Sequence, residues 1–166
     1  MTEQYLGKFR GVVTDIQDPL MIGRIRATVP DVLGSDESGW AMPCLPFAGQ
    51  SVGFFALPIT GAGVWIEFEH GDPDYPIWAG CWYGSVAEVP PLLLAPPYKK
   101  IMVVTPAGHS INLDDTPGIG GITLTTADGA KIAMTSLGIT IDNGKGASIS
   151  LTGPQVSVNN GALDVI

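Results

Sequence analysis

From residue 121 to residue 166 the chain alternates. Six times an aliphatic side chain is followed by another two positions on: Ile122/Leu124, Ile132/Met134, Ile139/Ile141, Ile149/Leu151, Val156/Val158 and Leu163/Val165. Spacing of two predicts a β-strand with one apolar face. The other face carries Thr123, Thr125, Thr140, Ser148, Ser150, Ser157 and Asn159, which suit water. A period of 17 residues lies over the first: Gly121 repeats at Gly138, Gly129 at Gly146, Ile122 at Ile139 and Ile132 at Ile149. The unit is therefore two short strands with a turn after each. Glycine, which reaches positive φ at little steric cost, marks the corners. Repeats of this kind build solenoids or fibrous β-structures.

Such thin strands carry no core of their own. A single-chain solenoid needs about 18 or more residues per coil and several coils, whereas the repeat spans only 46 residues. Three copies wound together turn the apolar faces inward and leave the Ser/Thr faces outside. Closure around an axis also removes most open strand edges. The pattern predicts an intertwined triple-stranded β-helix over residues 101–166, made by a homotrimer. Its core is Ile122, Leu124, Ile132, Met134, Ile139, Ile141, Ile149, Leu151, Val156 and Val158. The alternative is a flat β-meander packed on the rest of the chain. Residues 101–105 and 108–113 read as a hairpin leading into the repeat, and Asp114-Asp115-Thr116-Pro117 reads as a turn.

The first half has a different rhythm. Strands are predicted at 5–15, 24–29, 40–46, 64–69 and 77–83, with another starting at 54–58. Asp18-Pro19 opens a turn that closes at Gly23, residues 31–39 form a polar loop, and Gly71-Asp72-Pro73-Asp74 is a tight turn. About five strands within residues 1–85 predict a small closed barrel of the oligonucleotide/oligosaccharide-binding (OB) type. Residues 86–100, with four prolines, read as a stiff extended linker. The fold class is thus all-β, an N-terminal OB-fold barrel followed by an intertwined triple-stranded β-helix.

Composition narrows the function. Eight basic and 16 acidic residues give a net charge of −8, which disfavours nucleic acid and anionic membranes. Only 14% of residues are charged while 45% are hydrophobic, a sparse charge coat that fits a chain burying surface in an assembly. Two cysteines, Cys44 and Cys81, in apolar strand-like contexts predict buried free thiols and assembly in a reducing cytoplasm. The N-terminal run MTEQYLGKFRG has no apolar core of the kind a signal peptide needs, so none is expected.

The runs GKFRGVVTDIQDPLMIGRIRATVPDV, WAMPCLPFAG and FALPITGAGVWIEFEHGDPDYPIWAGCWYG carry a family resemblance. The matching features are Gly23-Arg24, Pro30, residues 40–49, Gly61, Val64-Trp65, Phe68-Glu69 and Gly71-Asp72-Pro73. In this order, ahead of a glycine-cornered β-repeat, they resemble the barrel domain of phage baseplate central-spike proteins. The VgrG spikes of type VI secretion and the spikes of extracellular contractile injection systems are similar. The resemblance implies a structural protein: barrels plug the baseplate hub, and the β-helix transmits sheath force to pierce a target envelope. It implies partners in the hub and tube-initiator proteins, transient contact with the target membrane, and a conical PAAR-like tip protein. The tip would dock on Leu163, Val165 and Ile166, which continue the strand rhythm with an apolar face. Synthesis in a bacterial cytoplasm and a place in a phage tail-like particle, extracellular after release, follow from the same likeness.

Candidate chemistry is thin. His70 beside Glu69 and Asp72 offers a carboxylate–imidazole pair, but a hairpin turn accounts for it. His109 with Asp114 and Asp115 offers ligands for a divalent cation, but turn-forming aspartates account for these. No CxxC, HExxH, GxSxG or phosphate loop occurs, and no His-x-His pair, so neither a catalytic residue nor a metal ligand nor a cofactor is expected. Trp40, Trp65, Trp78, Trp82, Tyr83, Arg24 and Arg26 suggest a stacking groove for single strands. The acidic charge and the alternation with Ile66, Phe68 and Ile77 make them core or interface residues instead, with the arginines paired to Glu67, Glu69 or a neighbouring subunit. A trimeric adhesin binding a surface glycan and a cell-wall hydrolase are the competing classes.

Overall fold

The structure, a computed structural model, describes residues 4–93 and 99–165. The chain divides into two compact units, Met1–Glu88 and Val89–Ile166.

The first unit contains β1 (Phe9–Asp15), β2 (Arg26–Thr28), β3 (Met42–Pro43), the minimal hairpin β4 (Ala48–Gly49) and β5 (Val52–Gly53), β6 (Gly63–Phe68) and β7 (Pro76–Trp82). Its main sheet has the order β2-β1-β6-β7-β3. Ile25 and Ala41, just before the two edge strands, exchange backbone hydrogen bonds of 3.2 and 2.8 Å. That exchange brings the two sheet edges together, as a small barrel requires. Inward positions alternate: Val64, Ile66 and Phe68 on β6 meet Val13, Ala27 and Trp78 in a core that also takes Ile25, Val29 and Ala41. The Trp78 indole buries its ring and donates its N–H to the Gly23 carbonyl at 3.0 Å, so its own polar atom is paired inside the core.

Several expectations are corrected here. Residues 54–58 form no strand; the two-residue hairpin β4–β5 precedes them. The polar loop opens with a one-turn helix, α1 (Pro30–Leu33), because proline at the first helical position loses no hydrogen bond. Residues 86–93 are not extended: Val86–Glu88 and Pro91–Leu93 are 3₁₀ turns, the first tied by the Gly84 N–H donating to the Glu88 carboxylate at 2.8 Å. Cys44 and Cys81 are both exposed, because neither stands at an inward position of the barrel. The arginines also choose nearer partners than Glu67 and Glu69. Arg26 pairs with Glu37 at 2.8 Å and Arg24 with Asp18 at 2.6 Å, while Glu67 pairs with Lys8.

Asp18 organises the loop from 18 to 24. Its carboxylate is buried and accepts the backbone N–H groups of Leu20, Ile22 and Arg24 together with two donors of the Arg24 guanidinium. The guanidinium first, then the three amides, outweigh burial and hold the carboxyl far below the usual carboxylate range. A depressed pKa stabilises the fold above the unfolded-state value, near ~3.9, and the contribution fades as pH falls below it. Asp18→Asn should therefore melt at a lower temperature than the parent chain at pH 7. The gap should narrow progressively below about pH 4, as circular dichroism melts between neutral and acid pH would record. A gap that stays constant with pH would show that the charge is not what holds the loop.

The second unit is one eight-stranded antiparallel sheet in strict chain order. Its strands are β8 (Lys100–Val104), β9 (Ser110–Asp114), β10 (Gly121–Thr125), β11 (Lys131–Thr135), β12 (Gly138–Asp142), β13 (Ser148–Thr152), β14 (Gln155–Val158) and β15 (Leu163–Val165). The 17-residue period is two five-residue strands plus a five-residue and a two-residue turn. The five-residue turns close alike: in TPAGH, TADGA and NGKGA the first residue's N–H donates to the last residue's carbonyl at 2.9–3.0 Å. Each holds a left-handed glycine fourth, Gly108, Gly129 and Gly146.

The two-residue turns leave no slack, so the strands that they join pair with each other, and each strand of the sheet pairs with its neighbours in the sequence. Within one chain the strands thus form a meander. Gly121 and Gly138 stand not at corners but at strand starts, on either side of Thr135. Their φ values of 154° and 143° bring each against the neighbouring strand, where an added Cβ would run into the carbonyl oxygen of Met134 or Leu151. Gly138→Ala should cost about 1–3 kcal/mol, seen as a lower unfolding midpoint by calorimetry; an unchanged midpoint would mean that the β12–β13 pairing yields to make room.

Candidate trimerisation surface

Each five-residue strand of the meander puts its second and fourth residues on one face and its first, third and fifth on the other. The register is in step from strand to strand, so like meets like. One row runs Ile101, Leu113, Ile122, Met134, Ile139, Leu151, Val156. A parallel row runs Val103, Ile111, Leu124, Ile132, Ile141, Ile149, Val158, Leu163. Between them, on the opposite face, lies Met102, Asn112, Thr123, Ala133, Thr140, Ser150, Ser157.

Among the described residues, nothing covers the apolar rows. From Ile122 through Val156 their side chains remain 36–45% exposed, and Ile101 and Val103 more so. In the middle of a fully hydrogen-bonded sheet that is a bare face. A soluble protein rarely leaves a patch this long and unbroken in water. The second row forms the floor of a trough of about 540 Å³ past Val103, Ile111, Leu124, Ile132 and Ile141. At its beginning the surface is pinned by Lys100 and Asp114, 3.3 Å apart. The Thr116 hydroxyl and amide, followed by Lys100, pull the Asp114 carboxyl below its ordinary value.

All ten residues expected in the trimer core stand in these two rows. The rows also include Ile101, Val103, Ile111 and Leu113, absent from that set. Their signal was the same spacing of two, but the connection from Asp114 to Gly121 is six residues long and breaks the 17-residue period. Of the tip-docking residues, Leu163 continues the second row opposite Val158, the Val165 backbone pairs with Val156, and Ile166 lies outside the described residues.

The other candidate constellations come apart. His109 ends one long turn, and its Nδ1 accepts the Ala127 N–H at 3.2 Å, tying adjacent turns. Asp114 and Asp115 lie at the far end of β9, about 13 Å along the strand, so no cluster forms. His70 sits in the left-handed region inside the turn Glu69–Gly71, where its carbonyl accepts from the Gln4 side chain. The aromatic residues are dispersed: Trp78 is core, Trp40 lies under both Arg24 and Arg26, and Arg10 covers Trp65 and Trp82 at 5.8 and 5.3 Å. No shared stacking groove results.

Comparison with known proteins agrees with this division. Residues 9–83 match the family model described as the type VI secretion system/phage-baseplate injector OB domain. Residues 100–164 match the phage baseplate V C-terminal trimerisation domain. The chain thus carries a baseplate injector OB domain followed by a baseplate V trimerisation domain. The apolar face lies in the trimerisation domain. Among curated proteins the chain is 32% identical over 82 residues to the type VI secretion system spike protein VgrG4b of Pseudomonas aeruginosa, covering 48% of the chain and 10% of that protein. It is 36% identical over 77 residues to the actin cross-linking toxin VgrG1 of Vibrio cholerae, covering 46% of the chain and 7% of that protein. The chain thus spans a tenth or less of the length of these relatives.

The bare face yields a paired test. Ile141→Asp sets a carboxylate in the second row between Ile132 and Ile149, where desolvation without a partner is prohibitive. It should abolish assembly. Thr140→Asp, one position away on the polar face, should change stability by less than about 1 kcal/mol. Size-exclusion chromatography with light scattering separates the outcomes; equal assembly of both variants would count against this facing.

Proposed function

We propose that the protein is the trimeric central spike of a contractile injection machine. The observation that carries this is the pair of uninterrupted apolar rows, exposed on one face of the sheet among the described residues, within a trimerisation domain. Three such faces turned to a common axis make a dry, triangular rod. Seven ladder steps of ~4.8 Å give it a length of roughly 34 Å. Ladder bonds within each chain make each wall stiff, and side-chain packing joins the walls. A rod of this kind transmits axial force without bond chemistry, so the proposal assigns the chain no catalytic step and no cofactor.

The barrel units, of the injector OB type, fit a seat in the baseplate hub beside the tube initiator. The relative named as a type VI spike protein supports the same placement. We extend the reading to a PAAR-like tip protein against β15, to transient passage through a target membrane, and to assembly in a bacterial cytoplasm before release with the particle. Two measurements test it. Purified protein should scatter light as three chains at every concentration tried. Antibody against the chain should label contractile particles at the baseplate end of the tube. A stable monomer, or label on the fibres or along the sheath, would overturn the proposal.

A further inference from the structure

Between Glu37 and Glu67 the sequence has no charged residue. This stretch carries the β4–β5 hairpin, whose two-residue strands are far below the size that is stable by itself. Its side chains Phe47, Val52 and Phe54 are each more than half exposed. Beside it, the Phe55 ring rests over Gly23 and, with Met21 and Leu57, lines a hollow of about 470 Å³. The barrel unit thus presents an apolar projection and a recess whose apolar wall is Met21, Phe55 and Leu57, with Gln17 and the arginine-paired Asp18 at its other side; Met21 is 86% exposed.

We propose that in the trimer the Phe47–Val52–Phe54 projection of one barrel fills the Met21–Phe55–Leu57 recess of the next. The inference rests on the trimeric reading above. Three observations select a second copy as the occupant. A chain of net charge −8 repels its own copies, so a contact between copies needs a charge-free surface, and this is the longest one in the sequence. Threefold symmetry requires two different, complementary patches rather than one patch meeting itself, and a projection and a recess are such a pair. Finally, the 11 residues from 89 to 99 that precede β8 reach at most about 40 Å. Trimerisation therefore holds the three barrels at an effective concentration of order millimolar, where even a weak apolar contact is populated.

The test uses the full chain with Cys44→Ser and Cys81→Ser, carrying Leu20→Cys beside the recess and Gln50→Cys at the tip of the hairpin, two exposed positions outside the proposed contact. Treatment with a short dimaleimide should move most of the protein into a covalent trimer band on a denaturing gel. Adding Phe55→Asp should abolish that band while light scattering still reports a trimer. Scattering that shows a trimer but only monomeric bands after cross-linking would overturn this proposal alone, leaving the surface free for another protein. A monomer in scattering would overturn the trimeric reading beneath it. A trimer band that persists with Phe55→Asp would show that the recess is not the seat.

Discussion

The structure depends on a face that its own chain cannot cover. In the second unit the backbone of the inner strands is provided for: successive strands pair, and short turns return the chain in register. What the sheet lacks is a second layer. A sheet with one apolar face must bury it against another element, and among the described residues the unit offers only the short turn Pro91–Leu93 beside the sheet. Its apolar rows run from Ile101 to Leu163, and burying them is the driving force available for assembly. Rigidity follows, because strands this closely connected cannot slide without breaking register, and a one-residue slip would exchange the two faces.

The barrel unit solves the same problem internally. Its inward side chains, from Val13 to Trp78, enclose one another and leave almost nothing of themselves in water. Stability is supplemented at the loops by charge: Asp18 gathers three amides and a guanidinium, so that the 18–24 segment has one defined path. That path sets Met21 and Gly23 beside Phe55. The order in the loop and the shape of the surface therefore have a common origin in one buried carboxylate. The two units divide the labour, one self-sufficient and one dependent on copies of itself.

Glycine has two separate duties in the second unit, and the repeat hides the difference. Gly129 and Gly146 turn corners, whereas Gly121 and Gly138 admit the carbonyl oxygens of adjacent strands. All four recur at the same interval, because the period joins two unlike turns into one unit. The distinction matters for variation: a corner glycine is replaceable by a residue that tolerates the left-handed region, such as asparagine. A strand-start glycine is confined by backbone on the neighbouring strand, which has nowhere to move.

The sequence by itself determined which side chains share a face. Period two is a property of the extended chain, so Ile122, Leu124 and their successors had to lie together wherever the strands went. The barrel core was legible for the same reason in Val64, Ile66 and Phe68. Partnerships across loops were not. Arg24 and Arg26 found Asp18 and Glu37 rather than Glu67 and Glu69, because loop paths decide which carboxylate comes within reach. The membership of Ile101 and Leu113 in the apolar rows was obscured by one six-residue connection that interrupts the period without disturbing the sheet. Only the tertiary structure decided that successive strands of the chain pair with each other in this register, because the short turns, two residues at their tightest, leave no room for an intervening strand.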